Sequence, residues 1–289
     1  MDDESPITLL RRETRVSAGL VPLRLGGHEI PPEFDLLVND EYILRTAYGL
    51  AYHYRKGEGV TVERQPGSDP ATELLFLNGS VYAAVAAING FLPVHASAVA
   101  HGGQVHAFTG PSGAGKSTLT AALGTRGLPL FCDDTLILDL SGPGAIRCLP
   151  GHKRLKLWPD AVELAGAAPQ ERIAADLEKV FAEPASGSVD EMLPLAQLVF
   201  LEEGGLGEGG PMRIEPIRGA ERLLRLQDDH YTQALFIAAS RPNRAERFAQ
   251  LSRLAVSMEM NRFVRPRDRR QFGAGVTMVE NHVRAMEDR

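Results

Sequence analysis

The sequence predicts an α/β fold with a β-rich N-terminal region, and two observations support this prediction. In the middle of the chain, strand-like segments alternate with a helix-like one: VHASAVA (94–100), QVHAFTG (104–110), KSTLTAALGTRG (116–127) and LPLFCDDTLILDL (128–140). Before residue 93, strand-like stretches are separated by glycine turns. The 289 residues are 44% hydrophobic and 24% charged, an ordinary globular composition that excludes collagen, coiled coil and disorder as the main architecture.

Net charge, targeting signals and cysteine content indicate which kinds of partner and which cellular compartment to expect. Lysine and arginine number 31 against 37 acidic residues, a net charge of −6, which argues against general binding to nucleic acid or anionic membranes. The start, MDDESPITLL, lacks the apolar segment of a secretory signal. The longest apolar run, VYAAVAAI (81–88), falls far short of the ~20 residues of a membrane helix. Two cysteines, Cys132 and Cys148, cannot form a disulfide framework. We therefore expect a cytoplasmic protein without a nucleic-acid or membrane partner.

The chain is predicted to divide into a β-rich region, 1–92, and a second domain, 93–289. Within the first region, strands are expected in 20–30, 35–40 and 59–65. A buried helix is expected over 79–89, ended by Asn89-Gly90.

Near the C-terminus, a hairpin and a helix are predicted. AQLVFLE (196–202) and MRIEPI (212–217) are expected to pair across the glycine-rich segment 203–211, whose tip we expect to be mobile. The segment 244–260 is helix-like, and its predicted core-facing stripe consists of Phe248, Leu251, Leu254 and Met258.

A complete phosphate-loop (P-loop) motif connects a predicted strand to a predicted helix. GPSGAGKST (110–118) fits G-x-x-x-x-G-K-[ST] in the context that this motif requires. Its glycines let backbone N–H groups turn toward phosphate oxygens, and the helix N-terminus adds partial positive charge. Lys116 is expected to bridge the terminal phosphates, and the Ser117 hydroxyl to reach Mg²⁺. The motif alone predicts a nucleoside triphosphate with Mg²⁺, and the predicted nucleotide-binding residues are Gly110, Pro111, Ser112, Gly113, Ala114, Gly115, Lys116, Ser117 and Thr118.

Two adjacent aspartates follow the motif helix. Asp133 and Asp134 come 17 and 18 residues after Lys116, within what is predicted to be one continuous strand. The short β–α–β crossover predicts that this strand runs parallel to the loop strand, with their ends side by side. One aspartate could hold Mg²⁺ through water, while the other accepts a proton from an attacking hydroxyl. Strand alternation does not decide between them; the preferred assignment gives Asp134 to the metal and Asp133 to the base.

Strand register places His95 near the same site. A two-residue turn at Gly102-Gly103 would set His95 opposite Gly110, about 5 Å away. There the imidazole could take part in catalysis by orienting an aspartate or approaching the metal. The alternative is a satisfied buried histidine.

Positive charge is concentrated in GHKRLKLW (151–158). In a strand, Arg154 and Lys156 share one face, while Leu155 and Leu157 face the core. The two cations could bind a transferring phosphoryl group or a substrate carboxylate; a solvated strand face is the other interpretation. Lys179, Arg241, Arg244 and Arg265 are weaker candidates for the same role, and most of them are expected to be surface charges.

These residues resemble the HPr kinase/phosphorylase family, whose P-loop core is related to that of phosphoenolpyruvate carboxykinase. The resemblance covers roughly 95–139 and rests on His95, GPSGAGKS and Asp133-Asp134. It implies a kinase core that binds nucleotide at 110–117, holds Mg²⁺ near Ser117 and the aspartates, and uses one aspartate to activate a serine hydroxyl.

Beyond that core, the chain departs from the family's pattern. Where a loop similar to R-G-L-G-I is expected, it has GPGAIRCLPGHKRLKLWPDA (142–161). The segments 152–166, 176–179, 214–223 and 265–268 are more similar to HPr-kinase-like proteins found beside ribosomal peptide biosynthesis enzymes. Some of those relatives, in lasso-peptide clusters, phosphorylate a serine of the precursor peptide, which implies a peptide substrate here.

Several functions stay open from the sequence. The preferred one is an ATP-dependent serine kinase acting on a peptide or small protein, with HPr as an alternative substrate. An ATP-binding regulatory or chaperone module is the second, but it would need no base such as Asp133 or Asp134. A small-molecule kinase is the third. An ABC-type ATPase is disfavoured because no LSGGQ segment appears. A homo-oligomer is compatible with the sequence.

Overall fold

The structure is a computed structural model that describes residues 4–153, 155–174, 177–204, 211–228, 235–236, 239–266 and 268–286, without the side chains of 169–174 and 177–179. In this part of the chain, helices and strands mix as the α/β prediction requires, and that prediction is confirmed. The helices described are α1 (Pro6–Glu13), α2 (Pro70–Phe76), α3 (Tyr82–Ile88), α4 (Lys116–Gly124), α5 (Pro159–Ala165), α6 (Glu221–Gln227), α7 (Arg241–Ser257) and α8 (Phe272–Arg284).

A five-stranded sheet dominates the N-terminal region. Its strands are β1 (Val16–Ala18), β4 (Phe34–Val38), β5 (Glu41–Arg45), β6 (Leu50–Arg55) and β7 (Gly59–Arg64), in the order β1-β7-β6-β5-β4, while β2 (Arg24–Leu25) and β3 (His28–Glu29) form a separate ladder. The aromatic side chains of β6 are buried, and the hydroxyl of Tyr54 donates to Glu13 Oε2 at 2.7 Å, which satisfies a polar group in the core. The β-rich character was predicted, although β5 and β6 were missed.

A long helical stretch leads from this sheet to the central one. A π-helical segment, Leu77–Val81, joins α2 to α3, and the helix ends before Asn89-Gly90 as predicted but begins at Pro70 instead of residue 79. By length and composition, Pro70–Ile88 is one helix that could cross a membrane, so the apolar run is longer than the sequence suggested. This is a weak indication, because buried core helices meet the same criterion and α3 packs into the core beneath the N-terminal sheet.

The central sheet carries the P-loop motif. Within the described chain it consists of β8 (Leu92–Val94), β9 (Ala96–His101), β10 (Gln104–Thr109), β11 (Leu130–Cys132), β12 (Leu136–Asp139), β13 (Arg147–Leu149), β17 (Leu193–Glu203), β18 (Arg213–Pro216) and β19 (Glu259–Arg265). The order is β11-β9-β10-β17-β13-β12-β8, and β19 pairs with both β17 and β18. Because β10, β17 and β19 are parallel, their carboxyl ends meet at the edge where the motif begins.

Two predicted strand pairs are wrong because another strand lies between their members. β11 is parallel to β10 as expected, but β9 separates them and pairs antiparallel with each. The predicted hairpin also fails, since β17 and β18 both pair with β19 instead of with each other. Most of the expected mobile tip, 205–210, lies outside the described residues. In the first case the hairpin partner of β10 lies between β10 and β11, and in the second the sequence-distant strand β19 supplies the hydrogen bonds that a local pairing would have used.

The strand predicted over 128–140 is interrupted at its two aspartates. Asp134 has a φ of 73°, in the left-handed region, so the chain turns there. After the turn, β12 joins a different ladder, with β8 and β13. The aspartates therefore lie at a bend between two strands.

A small sheet packs beside the motif helix. It contains β14 (Leu155–Leu157), β15 (Pro169–Ala174) and β16 (Leu177–Ala182), in the order β14-β16-β15. Buried side chains of β14, α4 and α5 form one cluster, which fixes the position of β14 relative to the start of α4.

The helix α7 buries a different stripe from the predicted one. Leu251, Leu254 and Met258 are buried as expected, but Phe248 is 54% exposed. At 3.6 residues per turn, Phe248 lies roughly 90° from the centre of that buried stripe. Arg247 occupies the corresponding face instead, with its guanidinium 4.7 Å from the ring centroid of Phe236.

Candidate active site

The motif residues 110–115 turn from the end of β10 to the start of α4. Gly110 has a φ of 145°, and a Cβ there would lie 2.9 Å from the carbonyl oxygen of Leu201. Gly115 has a φ of 84°, and a Cβ there would lie 2.9 Å from Nη2 of Arg265. The positive φ angles favour glycine at both positions, and at Gly110 the backbone carbonyl also leaves no space for a Cβ. The helix begins directly after Gly115, so its N-terminus faces the loop and favours an anion there.

Two basic side chains donate hydrogen bonds to carbonyl oxygens of this loop. Lys116 Nζ donates to the carbonyl oxygens of Gly110 at 2.8 Å and Pro111 at 3.2 Å. Arg265 Nη2 donates to the carbonyl oxygen of Ala114 at 2.6 Å. Of the weaker basic candidates, Arg265 reaches the loop, because the pairing of β19 with β17 brings it there. Phosphate oxygens would offer Lys116 stronger, charged acceptors than the carbonyls it contacts here.

Asp133 is buried and uses both carboxylate oxygens. Its side chain is 2% exposed; Oδ1 accepts hydrogen bonds from Ser97 Oγ at 2.5 Å and Ser117 Oγ at 2.8 Å. Oδ2 accepts from the backbone N–H of Lys156 at 2.8 Å. A buried carboxylate is tolerated only with such partners. The contact with Ser117 fixes that hydroxyl on the first turn of α4.

Asp134 lies at the wall of the cleft beside the loop. Its side chain is 26% exposed, and Oδ2 accepts from Lys156 Nζ at 2.8 Å. Its carbonyl oxygen lies 2.8 Å from His95 Nδ1, and its Oδ1 lies 3.6 Å from the same nitrogen. Since a carbonyl oxygen only accepts, the proton of the neutral imidazole belongs on Nδ1. The histidine therefore holds the left-handed turn at Asp134.

The register predicted for His95 is confirmed. β9 and β10 pair from His101 with Gln104 to Ala96 with Thr109, so His95 and Gly110 are the next residues beyond the last pair, and both border the first cleft. The Thr109 hydroxyl also donates to the His95 carbonyl oxygen at 2.9 Å, which closes the end of the ladder.

β14 follows the alternation predicted for the basic segment. Leu155 and Leu157 are buried, and Lys156 points the other way, to Asp134. Arg154 lies outside the described residues. Lys179 belongs to β16, but its side chain is not among those described.

Lys153 anchors the chain ahead of β14. Its Nζ donates to the carbonyl oxygens of Phe131, at 2.7 Å, and Val189. Burial lowers the pKa of this ammonium group, although Asp190 at 3.6 Å acts in the opposite direction. These contacts give Lys153 a structural role beneath the site.

Two adjoining clefts open along the loop. The first cleft, about 660 Å³, is bordered by the loop and by His95, Asp134 and Lys156. The second cleft, about 970 Å³, is bordered by the other side of the loop, by α5 and by the start of α8. Trp158 borders both clefts.

Sequence reasoning missed several residues of this site. Two of them could have been predicted from strand alternation, because residues two positions apart in an extended chain share a face. Ser97 lies two positions after His95, and Trp158 lies two positions after Lys156. Glu202 and Arg225, which border the first cleft and pair at 3.0 Å, could not be predicted in this way. Their contact depends on the packing of α6 over the end of β17.

The oxygen atoms around Ser117 suit Mg²⁺. They comprise its hydroxyl and the carboxylates of Asp133 and Asp134, hard donors of the kind this ion prefers. Over the described residues, no group of three or more His, Cys, Asp and Glu side chains is arranged to hold a metal. A Mg²⁺ ion in a nucleotide site usually takes only one or two carboxylates and shares them with water and substrate phosphates.

The chain was compared with family models, curated proteins and solved structures, and only the solved structures give matches. No protein-family model matches the chain, and no curated protein matches it. Among solved structures, the chain is similar to the Hpr(Ser) kinase/phosphatase from Coxiella burnetii, with 16% sequence identity and a TM-score of 0.35 over 68% of this chain and 98% of that chain. At this score the similarity carries no weight for function, which has to rest on the site.

Proposed function

We propose that the protein is an ATP-dependent kinase that binds Mg·ATP at residues 110–118 and transfers the γ-phosphoryl group to a serine hydroxyl of a peptide. The observation that supports this most is that Lys116, Ser117 and Asp134 border one cleft, while the buried Asp133 accepts a hydrogen bond from the Ser117 hydroxyl behind it. A module that only binds nucleotide needs the loop. It does not need a second carboxylate, Asp134, facing the cleft between His95 and Lys156.

The contacts favour the reverse of the assignment preferred from the sequence. We assign Asp133 to the metal side, because its Oδ1 contacts the Ser117 hydroxyl and it lies buried behind the loop. Asp134 borders the cleft that would receive the acceptor, so we assign it as the general base.

The proposed step moves one proton and one phosphoryl group. Asp134 accepts the proton of the acceptor hydroxyl, whose oxygen forms a bond to the γ-phosphorus. The bond from that phosphorus to the β–γ bridging oxygen breaks, and ADP leaves. Lys116 and Lys156 lie where they can offset the charge on the transferring group. Mg²⁺, when bound near Ser117, supplies further neutralisation of the phosphates.

His95 acts in this proposal as a positioning residue. Its Nδ1–H holds the carbonyl oxygen of Asp134 at 2.8 Å, and thereby the turn that presents the carboxylate. Loss of this contact would let the Asp134 backbone relax from its left-handed angle.

A flexible peptide fits the acceptor side. The first cleft lies at the carboxyl edge of the parallel strands β10 and β17, where sheets of this kind leave room for ligands. A chain end can enter such a cleft without a matching partner surface. The ammonium group of Lys156 has three donors, one of which is used by Asp134, so it can also pair with a peptide carboxylate. With the sequence resemblance, this favours a precursor peptide, of the lasso type, with a serine near its C-terminus.

Mass spectrometry of precursor peptides incubated with the protein and Mg·ATP tests the proposal. We expect a gain of one phosphate on serine, and loss of transfer in Lys116→Ala, which removes the ammonium group that contacts the carbonyl oxygens of Gly110 and Pro111. Phosphorylation of folded HPr but of no peptide would contradict the peptide substrate. Wild-type protein that binds neither ATP nor ADP in calorimetry would refute the kinase proposal as a whole.

A further inference from the structure

The strand β14 presents two side chains to the P-loop side. Because Leu155 and Leu157 are buried, the alternate positions, Lys156 and Trp158, face the clefts. Lys156 contacts Asp134 at the transfer end of the site. Trp158 lies two residues farther along the chain, about 7 Å in an extended backbone. The strand thus runs from the transfer groups toward the second cleft.

The two clefts differ in chemistry. The groups proposed to act on the γ-phosphoryl, His95, Lys116 and Asp134, border the first cleft and not the second. The second cleft shares residues 111–113 of the loop with the first, and adds apolar side chains from α5 and α8. A nucleotide whose terminal phosphates lie at Lys116 therefore has its nucleoside end directed toward the second cleft.

Trp158 suits stacking on a base. Trp158 is 45% exposed and lies at a cleft wall, so part of this large aromatic residue faces the space that a flat ligand would occupy. Its backbone is extended (φ −69°, ψ 152°) and is followed by Pro159 at the first position of α5, which restricts the backbone from which the side chain projects. The ion pair of Arg269 with Asp160 adds polar groups at the same cleft for a ribose or a base edge.

We infer that the second cleft binds the nucleobase of the nucleotide and that Trp158 stacks on it. This inference rests on the proposed function, which supplies the nucleotide, and adds to it the residue that distinguishes a nucleotide from bare polyphosphate. Its consequence is that affinity for ADP exceeds affinity for inorganic tripolyphosphate, and that this excess depends on an aromatic ring at position 158.

The chain contains a single tryptophan, so its fluorescence reports on this position alone. Titration of wild-type protein with ADP and Mg²⁺ should change the emission to saturation, whereas tripolyphosphate should bind in calorimetry with little change in emission. Trp158→Ala should weaken ADP binding by roughly tenfold or more, the loss expected for one base–aromatic stack, and leave tripolyphosphate binding unchanged. Trp158→Phe should retain most of the ADP affinity. Phe248→Ala, which removes an aromatic ring of similar exposure outside both clefts, is the matched control and should bind ADP normally.

The outcomes separate this inference from the kinase proposal. If wild-type protein binds ADP but Trp158→Ala binds it equally well, the stacking inference is overturned and the kinase proposal stands. If Trp158→Ala changes only the KM for a peptide, Trp158 belongs to the acceptor and the inference is likewise overturned. If wild-type protein binds neither ADP nor tripolyphosphate, both fail.

Discussion

Replacing Asp133 with asparagine should destabilise the protein and weaken its Mg²⁺-dependent activity at the same time. The substitution keeps the shape of the side chain but removes its charge and turns one acceptor into a donor. The carboxylate of Asp133 accepts three hydrogen bonds, and the asparagine side-chain oxygen can keep those from Ser97 and Ser117. Its amide nitrogen then faces the backbone N–H of Lys156, where the carboxylate had accepted at 2.8 Å.

The size of the effect follows from that one contact. A hydrogen bond to a charged group contributes about 1.5–3 kcal/mol, and a buried donor left without an acceptor costs about 1–3 kcal/mol. Because asparagine is easier to bury than a carboxylate, part of this loss is offset. We expect a net decrease of about 3 kcal/mol in the free energy of unfolding, which is roughly 5 °C or more in Tm for a chain of this size.

Urea unfolding and a Mg²⁺ titration measure the two consequences. Asp190→Asn is the control for stability, because its carboxylate is 82% exposed and should change the unfolding free energy by less than ~0.5 kcal/mol. In transfer assays, Asp133→Asn should need at least ~10-fold more Mg²⁺ for half-maximal rate, since the anion beside Ser117 is lost.

One result would refute this reasoning. If Asp133→Asn unfolds within ~0.5 kcal/mol of wild type and keeps the wild-type Mg²⁺ dependence, Asp133 is neither the buried acceptor nor the metal-side residue assigned to it.

Three further predictions test the site and its support. Asp134→Asn should lower kcat by ~10²–10⁴-fold with unchanged ADP affinity; near-normal transfer would remove Asp134 as the base. Gly115→Ala should cost about 1–2 kcal/mol in unfolding free energy because of its left-handed φ of 84° and the approach of Arg265, whereas Gly144→Ala, which meets no atom within 4 Å, should be neutral. Burial lowers the pKa of His106 to about 4 in the folded protein. As pH falls, the imidazole is therefore protonated in the unfolded chain before it is protonated in the folded protein. The free energy of unfolding should decrease between about pH 6.5 and pH 4, by up to ~3 kcal/mol. In urea unfolding at several pH values His106→Gln should flatten this dependence, and an equal slope in both proteins would contradict the assignment.

Features set by local chemistry were predictable from the sequence. The Gly102-Gly103 turn fixed the register of β9 and β10, because a two-residue loop allows one pairing, and so placed His95 beside Gly110. The motif predicted where α4 begins, and the two-residue period of a strand predicted which side chains of β14 face inward.

Features set by long-range pairing were not predictable in the same way. The insertion of β19 beside β17 brings Arg265 to the loop, and no signal near Arg265 in the sequence reveals that partner. The bend at Asp134 was hidden because apolar residues continue on both sides of it, which is typical of one strand as much as of two.

The site is assembled from two different sheets. The loop and His95 adjoin strands of the central sheet. Lys156 lies in β14 and Trp158 directly follows it, and within the described residues β14 pairs only with β16 of the small sheet. The distance between Asp134 and Lys156 is therefore set by the packing of one sheet on another instead of by a shared ladder. If ADP contacts β14 and the loop together, its binding favours one relative position of these two elements. The acceptor peptide depends on the same relative position, so the binding of the two ligands is coupled. Whatever factor ADP imposes on peptide affinity, the peptide must then impose on ADP affinity.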